Sequence, residues 1–411
     1  MKSLKLFIYE HVSGGGYVGQ HIPSSILSEG YGMLRTLISD LKIAGHTVTT
    51  SLDSRILKFN PPLSADEIVP ISSRQEQKKT FEKTSQCADA IYIIAPESNG
   101  VLQRLVEIVE VAGGVSLNCS ADSVRIASNK ARFYEILGKV GLPAAETIVI
   151  DIREGVKLIE HATRELGFPL VFKPIDGVGG CGLSIVRDKN QISMAIDKAM
   201  NESSSKYIIA QRLIKGIAAS VSLISTGQDA LPLTLNKQRV TLASPTSNSS
   251  YHGGTVPIDH SSKDRALRTA REVVKSLRGL RGYVGVDMVL TDDGPIIMEV
   301  NPRLTTSYIG LRHIMNFNLA HAIIHAVLER KLPKDLQVSG YAIFSKINVP
   351  APIYESLQRT YKLKELVSPP FPIGDEGTAY GLIVASSAKL SDVRKRLYRT
   401  KRHLLNVIGG G

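Results

Sequence analysis

The hydrophobic pattern of the chain changes its period partway along the sequence, and this change limits the architecture. Over the first 120 residues, short apolar runs alternate with longer amphipathic segments, which is typical of a parallel sheet covered by helices. The predicted strands are Leu4–Tyr9, Val48–Ser51 and Ala90–Ala95, and the predicted helices are Glu29–Ile43, Ser73–Cys87 and Leu102–Val111. We therefore predict an α/β, Rossmann-like domain over residues 1–120.

Farther along the chain, strands follow strands, which indicates an antiparallel α+β region. The predicted strands there are Tyr207–Gln211, Ser220–Ser225, Leu231–Leu242, Val284–Thr291 and Pro295–Val300. The connecting region is predicted to hold strands Thr147–Ile150 and Leu170–Lys173 and helices Lys130–Lys139 and Gly155–Leu166. A predicted helix, Lys263–Leu277, interrupts the strand-rich region, and a long predicted helix, Ser307–Glu329, follows it. We predict a second domain over 121–330 and a mixed α/β segment over 331–411.

Composition excludes several classes of protein. Hydrophobic residues make up 43% and charged residues 21% of the 411 positions, which is ordinary globular usage. No apolar run approaches the roughly 18 residues that span a bilayer, so we expect a cytoplasmic protein without a membrane partner. The three cysteines form no CxxC pair, which disfavours a zinc ribbon or a disulfide framework.

The net charge of +12 is compatible with nucleic acid, an anionic small molecule, or no specific partner. Counted from Lys331 to the end, 13 basic residues stand against 6 acidic ones. Val393, Leu397 and Leu404 form an apolar stripe on a predicted helix there, and the basic side chains lie mostly outside it. With Tyr398 as the aromatic residue of this helix, a solvated face is favoured over nucleic-acid binding.

A glycine-rich segment matches G-x-G-x-x-G at Gly177-Val178-Gly179-Gly180-Cys181-Gly182. A dinucleotide-binding loop must open a helix, whereas Leu183–Val186 reads as a strand. Strand, glycine loop and strand instead predict a flap whose backbone N–H groups close over phosphates, with a plain hairpin as the alternative. Lys173 lies at the end of the strand that leads into this flap. Lys173 and Lys130 are candidates to neutralise the phosphates if their side chains point inward; the alternative is the solvent exposure that most lysines show.

Two apolar strands each carry an acidic residue in an otherwise hydrophobic run. Asp287 interrupts the first, Glu299 the second, and the turn Asp292-Asp293-Gly294 joins them. Pairing brings Asp287 near Glu299, and the two-residue period puts Glu299 and Asn301 on one face. Oxygen ligands of this kind suit Mg²⁺ held partly by phosphates; the alternative is a polar outer face. Arg303, on the same face, would reach a phosphate or a carboxylate.

Taken in order, these motifs resemble the ATP-grasp superfamily. The matching segments are Ser128-Asn129-Lys130, Phe172-Lys173-Pro174, Gln211-Arg212-Leu213-Ile214-Lys215-Gly216, Asp287, and Met298-Glu299-Val300-Asn301-Pro302-Arg303. Three further segments are similar to the branch of tyramine–L-glutamate ligases of methanofuran biosynthesis: Tyr9–Gly16, Tyr251-His252-Gly253-Gly254, and Asn301–Ser307 with Gly310-Leu311.

This resemblance implies an ATP-grasp fold that follows the Rossmann-like domain, with ATP between two lobes. The implied adenine site is the hinge Gln211, Arg212, Leu213 and Ile214; the implied phosphate site is Lys130, Lys173 and flap residues Gly177, Gly179, Gly180 and Gly182. It implies Mg²⁺, or Mn²⁺, on Asp287, Glu299 and Asn301, with Lys173 and Arg303 catalytic. The implied reaction joins an amino-acid carboxylate to an amine through an acyl phosphate, and a homo-oligomer stays open.

Two further segments are candidates to bind the small-molecule amino acid and amine substrates together with Arg303. Ser13, Gly14 and Gly15 follow the first strand, where open α/β sheets bind ligands; the alternative is a tight turn. Thr305, Thr306 and Ser307 follow the Arg303 motif and offer hydroxyls to a carboxylate; the alternative is a helix cap.

The chain departs from the family pattern just after the hinge. Many ATP-grasp enzymes carry an acid there for the ribose hydroxyls, and Gly216-Ile217-Ala218-Ala219-Ser220 has none. Three alternatives therefore stay open beside the ligase: a ligase for another amino acid or peptide, an ATP-binding regulatory protein without turnover, and a nucleic-acid binder.

Overall fold

Three β-sheets of different strand order form the framework of the residues that the computed structural model describes, which are 2–154, 156–177, 180–203, 205–374 and 377–409. The first sheet is parallel, and the other two are antiparallel. The change of hydrophobic period along the sequence therefore corresponds to a change of sheet type.

The first sheet belongs to the N-terminal domain and has four parallel strands in the order β3-β2-β1-β4. In chain order its elements are β1 (Lys5–Glu10), α1 (Ser24–Ile43), β2 (Thr47–Asp53), α2 (Ser54–Leu57), β3 (Glu67–Ile71), α3 (Arg74–Cys87), β4 (Ala90–Ile94) and α4 (Val101–Val111). Every residue of β4 is buried, as expected for a strand covered on both faces. The predicted Rossmann-like domain is confirmed, and β3 is a strand that the sequence pattern missed.

A small antiparallel sheet, ordered β5-β8-β6-β7, follows two connecting helices. Its elements and those helices are α5 (Ala121–Ser128), α6 (Lys130–Lys139), β5 (Thr147–Asp151), α7 (Val156–Leu166), β6 (Leu170–Pro174), β7 (Ser184–Val186), α8 (Ile192–Asn201) and β8 (Tyr207–Arg212). Helices α7 and α8 cover one face, where Leu166, Ala195 and Ala199 pack against Phe172 and Ala210. The predicted start of α7, Gly155, lies outside the described residues.

The large sheet has eight antiparallel strands in the order β13-β12-β9-β10-β11-β14-β16-β15. Its first part comprises β9 (Ile217–Thr226), β10 (Ala230–Thr241), β11 (Ser250–Val256), α9 (Lys263–Ser276), β12 (Arg281–Thr291), β13 (Gly294–Asn301), α10 (Tyr308–Leu311) and α11 (Leu319–Ile324). Its last part comprises β14 (Tyr341–Pro350), α12 (Tyr354–Thr360), β15 (Leu366–Ser368), β16 (Thr378–Ser387) and α13 (Leu390–Gly409). The sheet thus continues across the predicted boundary at residue 330.

Helix α13 covers the strands of this last part with its apolar stripe. Val393 packs with Ile343 and Ala385, and Leu404 packs with Ile347 and Ile383. The basic residues Arg394, Lys395, Arg396, Arg399, Lys401 and Arg402 are exposed, which agrees with the solvated-face interpretation. Among the described residues, no helix is both long and apolar enough to cross a bilayer.

The predicted long helix Ser307–Glu329 is wrong. The chain forms the short helix α10, leaves the helical conformation, and resumes with α11 and a π-helical turn over His325–Glu329. Two asparagines explain the break: Asn318 caps α11 by accepting from the His321 N–H at 3.0 Å, and Asn316 accepts from the Gln337 N–H at 2.9 Å. Apolar periodicity alone did not reveal these competing side-chain bonds.

A buried polar contact joins the N-terminal domain to the segment of chain that follows β13. The Asp40 carboxylate on α1 accepts from the Tyr308 hydroxyl at 2.6 Å and forms an ion pair with Arg312. Asp40 is 5% exposed, so both partners are needed to compensate its loss of hydration. This contact fixes α1 against α10.

We predict that Asp40→Asn lowers the free energy of unfolding by about 3 kcal/mol, because it leaves the Arg312 charge without its buried partner. Urea unfolding followed by circular dichroism measures the change. The control is Asp122→Asn, since Asp122 and Arg125 form an exposed pair whose loss costs less than about 1 kcal/mol. Equal losses in the two variants would contradict the structural role of Asp40.

Candidate active site

A hairpin formed by β12 and β13, here called the site hairpin, carries the acidic residues. Asp287 lies opposite Glu299, and Gly285 lies opposite Asn301. The Asn301 side-chain N–H donates to Oδ2 of Asp287 at 3.2 Å. The structure therefore brings together the three predicted metal ligands, and their role as ligands stays a prediction.

Glycine at position 285 lets the following loop approach the site hairpin. A Cβ atom there would lie 2.7 Å from the methyl group of Thr305. A larger residue would push the segment that carries Thr305, Thr306 and Ser307 away from the sheet.

A glutamine on β10 completes the surroundings of Asp287. The Gln238 side-chain amide donates to Oδ1 of Asp287 at 2.9 Å. Burial, and next the charge of Glu299, raise the pKa of Asp287 to about 7, although the bonds from Asn301 and Gln238 oppose the rise. Sequence reasoning missed Gln238, because a polar residue in a strand has no distinctive pattern until the neighbouring strand is known.

Two buried lysines face the other carboxylate. Lys130, at the start of α6, has its Nζ 3.5 Å from Glu299 and donates to the Gly177 carbonyl at 2.6 Å. Lys173, at the end of β6, donates to Oε1 of Gln211 at 3.0 Å and lies 3.4 Å from the Tyr134 hydroxyl. Both lysines are 7% exposed, so the predicted inward orientation is observed.

These lysines determine the charge states of the site. Burial lowers the pKa of Lys173 to about 8, while Glu299 opposes the fall. Burial would raise the pKa of Glu299, but Lys130, Lys173 and Arg303 together hold it below its usual range. Glu299 is therefore ionised beside two cationic groups, whereas Asp287 retains a proton up to near neutral pH.

This arrangement fits a divalent cation bound together with phosphates. Two carboxylates and an amide oxygen are hard oxygen ligands of the kind that Mg²⁺ prefers, and a cation would replace the proton on Asp287. Lys130 and Lys173 stand beside them as positive groups for phosphate oxygens. Among the described side chains, no group of three or more His, Cys, Asp or Glu residues could hold a metal ion, so a cation here would rely on two carboxylates, an amide oxygen and phosphates.

The glycine flap begins beside this group, at Gly177. Gly180 and Gly182 adopt φ values of +81° and +70°, and Gly177 gives its carbonyl to Lys130. Strand β7 follows the flap, so the segment does not open a helix as a dinucleotide loop would. Gly179 lies outside the described residues, and the phosphate contacts of the flap stay predictions.

The predicted hinge lies where β8 leaves the small sheet. Gln211 is fully buried and donates to the Thr147 hydroxyl at 2.8 Å, in addition to its bond with Lys173. Arg212 pairs with Glu146 at 2.6 Å, and the Leu213 N–H donates to the Pro169 carbonyl at 3.3 Å. Ile214 follows in the segment that leads to β9. Contact between this hinge and adenine stays a prediction.

Arg303 follows the site hairpin and meets an acid from the N-terminal domain. Its Nε lies 2.9 Å from Oε1 of Glu97, and the side chains are 13% and 7% exposed. Sequence reasoning missed Glu97. Its position three residues after β4, at the carboxyl edge of a parallel sheet, is a signal that could have identified it.

The loop after β1 is built around a buried acid. Glu10 accepts from the Val12 N–H at 2.9 Å and from the Ser13 N–H and hydroxyl at 2.7 and 2.6 Å. Gly15 has φ +101°, and a Cβ atom there would lie 2.6 Å from Ile71. Ser13, Gly14 and Gly15 are all buried in this turn, and substrate binding by the segment stays a prediction.

The hydroxyls after Arg303 also have protein partners. Thr305 and Ser307 lie 2.7 Å apart and both contact the Tyr283 hydroxyl, at 3.1 and 3.0 Å, while Thr306 contacts the Tyr251 hydroxyl at 2.8 Å. Ser307 precedes α10 but its side chain makes no capping bond. Thr305 is the half-buried member of the three, and substrate binding by this segment stays a prediction.

Comparison with known proteins agrees with this geometry. Residues 127–307 match a family described as an ATP-grasp domain, and residues 46–124 match a pre-ATP-grasp domain. The chain is similar to the tyramine–L-glutamate ligase of Methanocaldococcus jannaschii, with 31% identity over 263 residues, 63% of this chain and 70% of that protein. It is 28% identical to the same-named ligase of Methanocaldococcus fervens over 309 residues, 75% of this chain and 89% of that protein.

Similarity also extends to solved structures. Biotin carboxylase from Campylobacter jejuni, solved as a β-γ-ATP complex, superposes with a TM-score of 0.71 and 15% identity. The superposition covers 96% of this chain and 90% of that one. At this identity the likeness concerns the fold.

We predict that Asp287→Asn stabilises the metal-free protein at pH 8. The raised pKa means that the folded state binds the Asp287 proton more tightly than the unfolded state, so this group's contribution to stability declines as pH rises from about 4 to about 7. An asparagine at position 287 does not ionise, so the variant does not lose this stability as the pH rises. The variant should therefore exceed the wild type in unfolding free energy above pH 7, with a difference that shrinks toward pH 4.

Urea unfolding in the presence of a chelator measures this difference. Asp293→Asn, in the exposed turn of the same hairpin, is the control and should show no such pH dependence. A less stable Asp287→Asn protein at pH 8 would contradict the raised pKa.

Proposed function

Because this chain belongs to the ATP-grasp superfamily and is a carboxylate–amine ligase, we propose that it joins L-glutamate to tyramine, or to a tyrosine-like amine. The reaction would proceed through an acyl phosphate and convert ATP to ADP and phosphate. The observation that carries this proposal is the juxtaposition of Asp287, Glu299 and Asn301 with Lys130 and Lys173 at the start of the glycine flap.

Binding of ATP would use the positive side of the site. Lys130 and Lys173 are buried and positioned by Gly177 and Gln211, so they need no large rearrangement to contact phosphate oxygens. Asp287, Glu299 and Asn301 would hold Mg²⁺, or Mn²⁺, which when bound neutralises charge on the β- and γ-phosphates. The remaining contribution of the chain is orientation and exclusion of water by the flap.

In the first chemical step, a carboxylate oxygen of the amino acid attacks the γ-phosphorus. The bond from phosphorus to the bridging oxygen breaks, ADP leaves, and an acyl phosphate forms. Arg303 and Lys173 would bind the oxygens on which negative charge accumulates.

In the second step, the amine nitrogen attacks the acyl carbon. The C–O bond to phosphate breaks, inorganic phosphate leaves, and the nitrogen loses a proton to give the amide. Arg303 would stabilise the tetrahedral intermediate, because its guanidinium lies beside the site hairpin and is held away from bulk water.

The identity of the two substrates rests on the relatives. Two tyramine–L-glutamate ligases match this chain over 70% and 89% of their lengths. On the basis of this similarity we propose that the reaction belongs to a methanofuran-type cofactor pathway.

We predict that Glu299→Gln abolishes turnover and weakens Mg-ATP binding while the fold is retained. Removing this charge deletes a metal ligand and leaves Lys130 without its ion pair. The measurement is phosphate release with ATP, Mg²⁺ and pairs drawn from a panel of amino acids and amines, accompanied by calorimetric titration with Mg-ATP. Glu272→Gln, an exposed residue of α9, is the matched control and should keep wild-type activity.

Phosphate release that requires both glutamate and tyramine would support the complete proposal. Release with a different pair would retain the ligase and reject the substrates. Tight ATP binding without release for any pair would instead favour an ATP-binding regulatory protein, and full activity of Glu299→Gln would reject the metal site.

A further inference from the structure

We propose that Glu97 of the N-terminal domain is the positioning residue for Arg303, and that it acts by holding the guanidinium through Nε so that Nη2 faces the reacting groups. This inference rests on the proposed function, because it assigns a role to a partner of the proposed catalytic arginine.

The contact between the two residues is close and dry. Nε of Arg303 lies 2.9 Å from Oε1 of Glu97, with 13% and 7% of the side chains exposed. Within the described chain, the two carboxylate oxygens of Glu97 and the Nε of Arg303 make no hydrogen bond of good geometry. The two charged groups are therefore close enough for an ion pair but are not aligned for a hydrogen bond. The positive charge of Arg303 therefore compensates the loss of hydration of the buried Glu97 carboxylate.

The three nitrogens of the Arg303 guanidinium differ in their partners. Nε faces Glu97, and Nη1 donates to the Leu304 carbonyl at 3.1 Å. Nη2 has no hydrogen-bond acceptor among the described residues. Two of the three nitrogens are thus used for support, and the third is available to phosphate or carboxylate oxygens beside the site hairpin.

Four glutamates act on Arg303 through their charge, and three of them are committed elsewhere. Glu10 accepts from the Val12 and Ser13 backbone, Glu29 pairs with Lys346 at 2.6 Å, and Glu299 pairs with Lys130 at 3.5 Å. Glu97 has Arg303 as its ion-pair partner within the described chain. The arginine is therefore held by an acid that has no competing basic partner among the residues that the structure describes.

The backbone that carries Glu97 is itself fixed. It begins a short turn over Ser98–Gly100, where Asn99 and Gly100 adopt left-handed conformations with φ of 52° and 64°. The Asn99 N–H donates to the Asp176 carboxylate at 3.1 Å, just before the flap, and the Asn99 carbonyl accepts from Arg104. One loop of the N-terminal domain therefore contacts both the base of the flap and the catalytic arginine, which makes Glu97 a rigid support.

A double-mutant cycle tests this role. Glu97→Gln, Arg303→Met and the double variant are compared with the wild type in the phosphate-release assay with ATP, Mg²⁺, L-glutamate and tyramine. We expect Glu97→Gln to lower kcat roughly 10- to 100-fold while KM for ATP changes less than about 2-fold, since a misaligned group affects the transition state. The double variant should be no slower than Arg303→Met, because Glu97 acts through the arginine.

Glu107→Gln, an exposed position on α4, is the control and should retain wild-type kcat. Circular dichroism monitors the fold; if Glu97→Gln does not fold, Glu97→Asp replaces it. Aspartate keeps the counter-charge but withdraws it from Nε, so the same fall in kcat is expected.

Wild-type kcat in Glu97→Gln, or losses that multiply in the double variant, would overturn the positioning role. If Arg303→Met is impaired while Glu97→Gln is not, this inference fails and the proposed function stands. If Arg303→Met is fully active, or the wild type releases no phosphate with these substrates, the proposed function fails and the inference with it.

Discussion

The site depends on the electrostatic balance around two carboxylates that are paired across the site hairpin. Asp287 and Glu299 face each other on neighbouring strands, where burial and mutual repulsion oppose ionisation of both. The chain compensates one of them with Lys130 and Lys173 and leaves the other protonated up to near neutral pH. This distribution of charge is the basis of the proposed binding site, because a cation would compensate the two carboxylates and phosphates would compensate the two lysines.

Three separate parts of the chain bring their groups to this centre. The large sheet provides the acids, the small sheet provides Lys173 and the flap, and the N-terminal domain provides Glu97. The buried Asp40–Tyr308–Arg312 contact fixes the N-terminal domain against α10, close after the segment that carries Arg303. A short stretch of chain, from Arg303 to Tyr308, therefore connects the contact between the domains to the site.

Much of the site was visible in the sequence because its residues break a local rule. An acid in an apolar strand, or glycines between two strands, stands out against its neighbours, and Asp287, Glu299 and the flap were identified as candidates in this way. Lys173 became a candidate because its strand leads into the flap. The predicted helix over 307–329 failed for the opposite reason, since Asn316 and Asn318 look ordinary in sequence yet interrupt the helix by side-chain bonds. Ser13 lies on the loop after β1, as predicted, and its hydroxyl donates a hydrogen bond to Glu10.

The sequence by itself determined the order of sheet types and the site hairpin, because these follow from periodicity and a two-residue turn. The register at the site needed more than the turn, which alone would set Asp287 opposite Met298; a β-bulge beside Asp287 sets it opposite Glu299. Only the tertiary structure decided which distant groups meet there. Gln238 reaches Asp287 because β10 lies two strands from β12, and Glu97 meets Arg303 because the carboxyl edge of the first sheet faces the end of the site hairpin. Such contacts join residues separated by dozens to hundreds of positions, and local patterns contain no information about that distance.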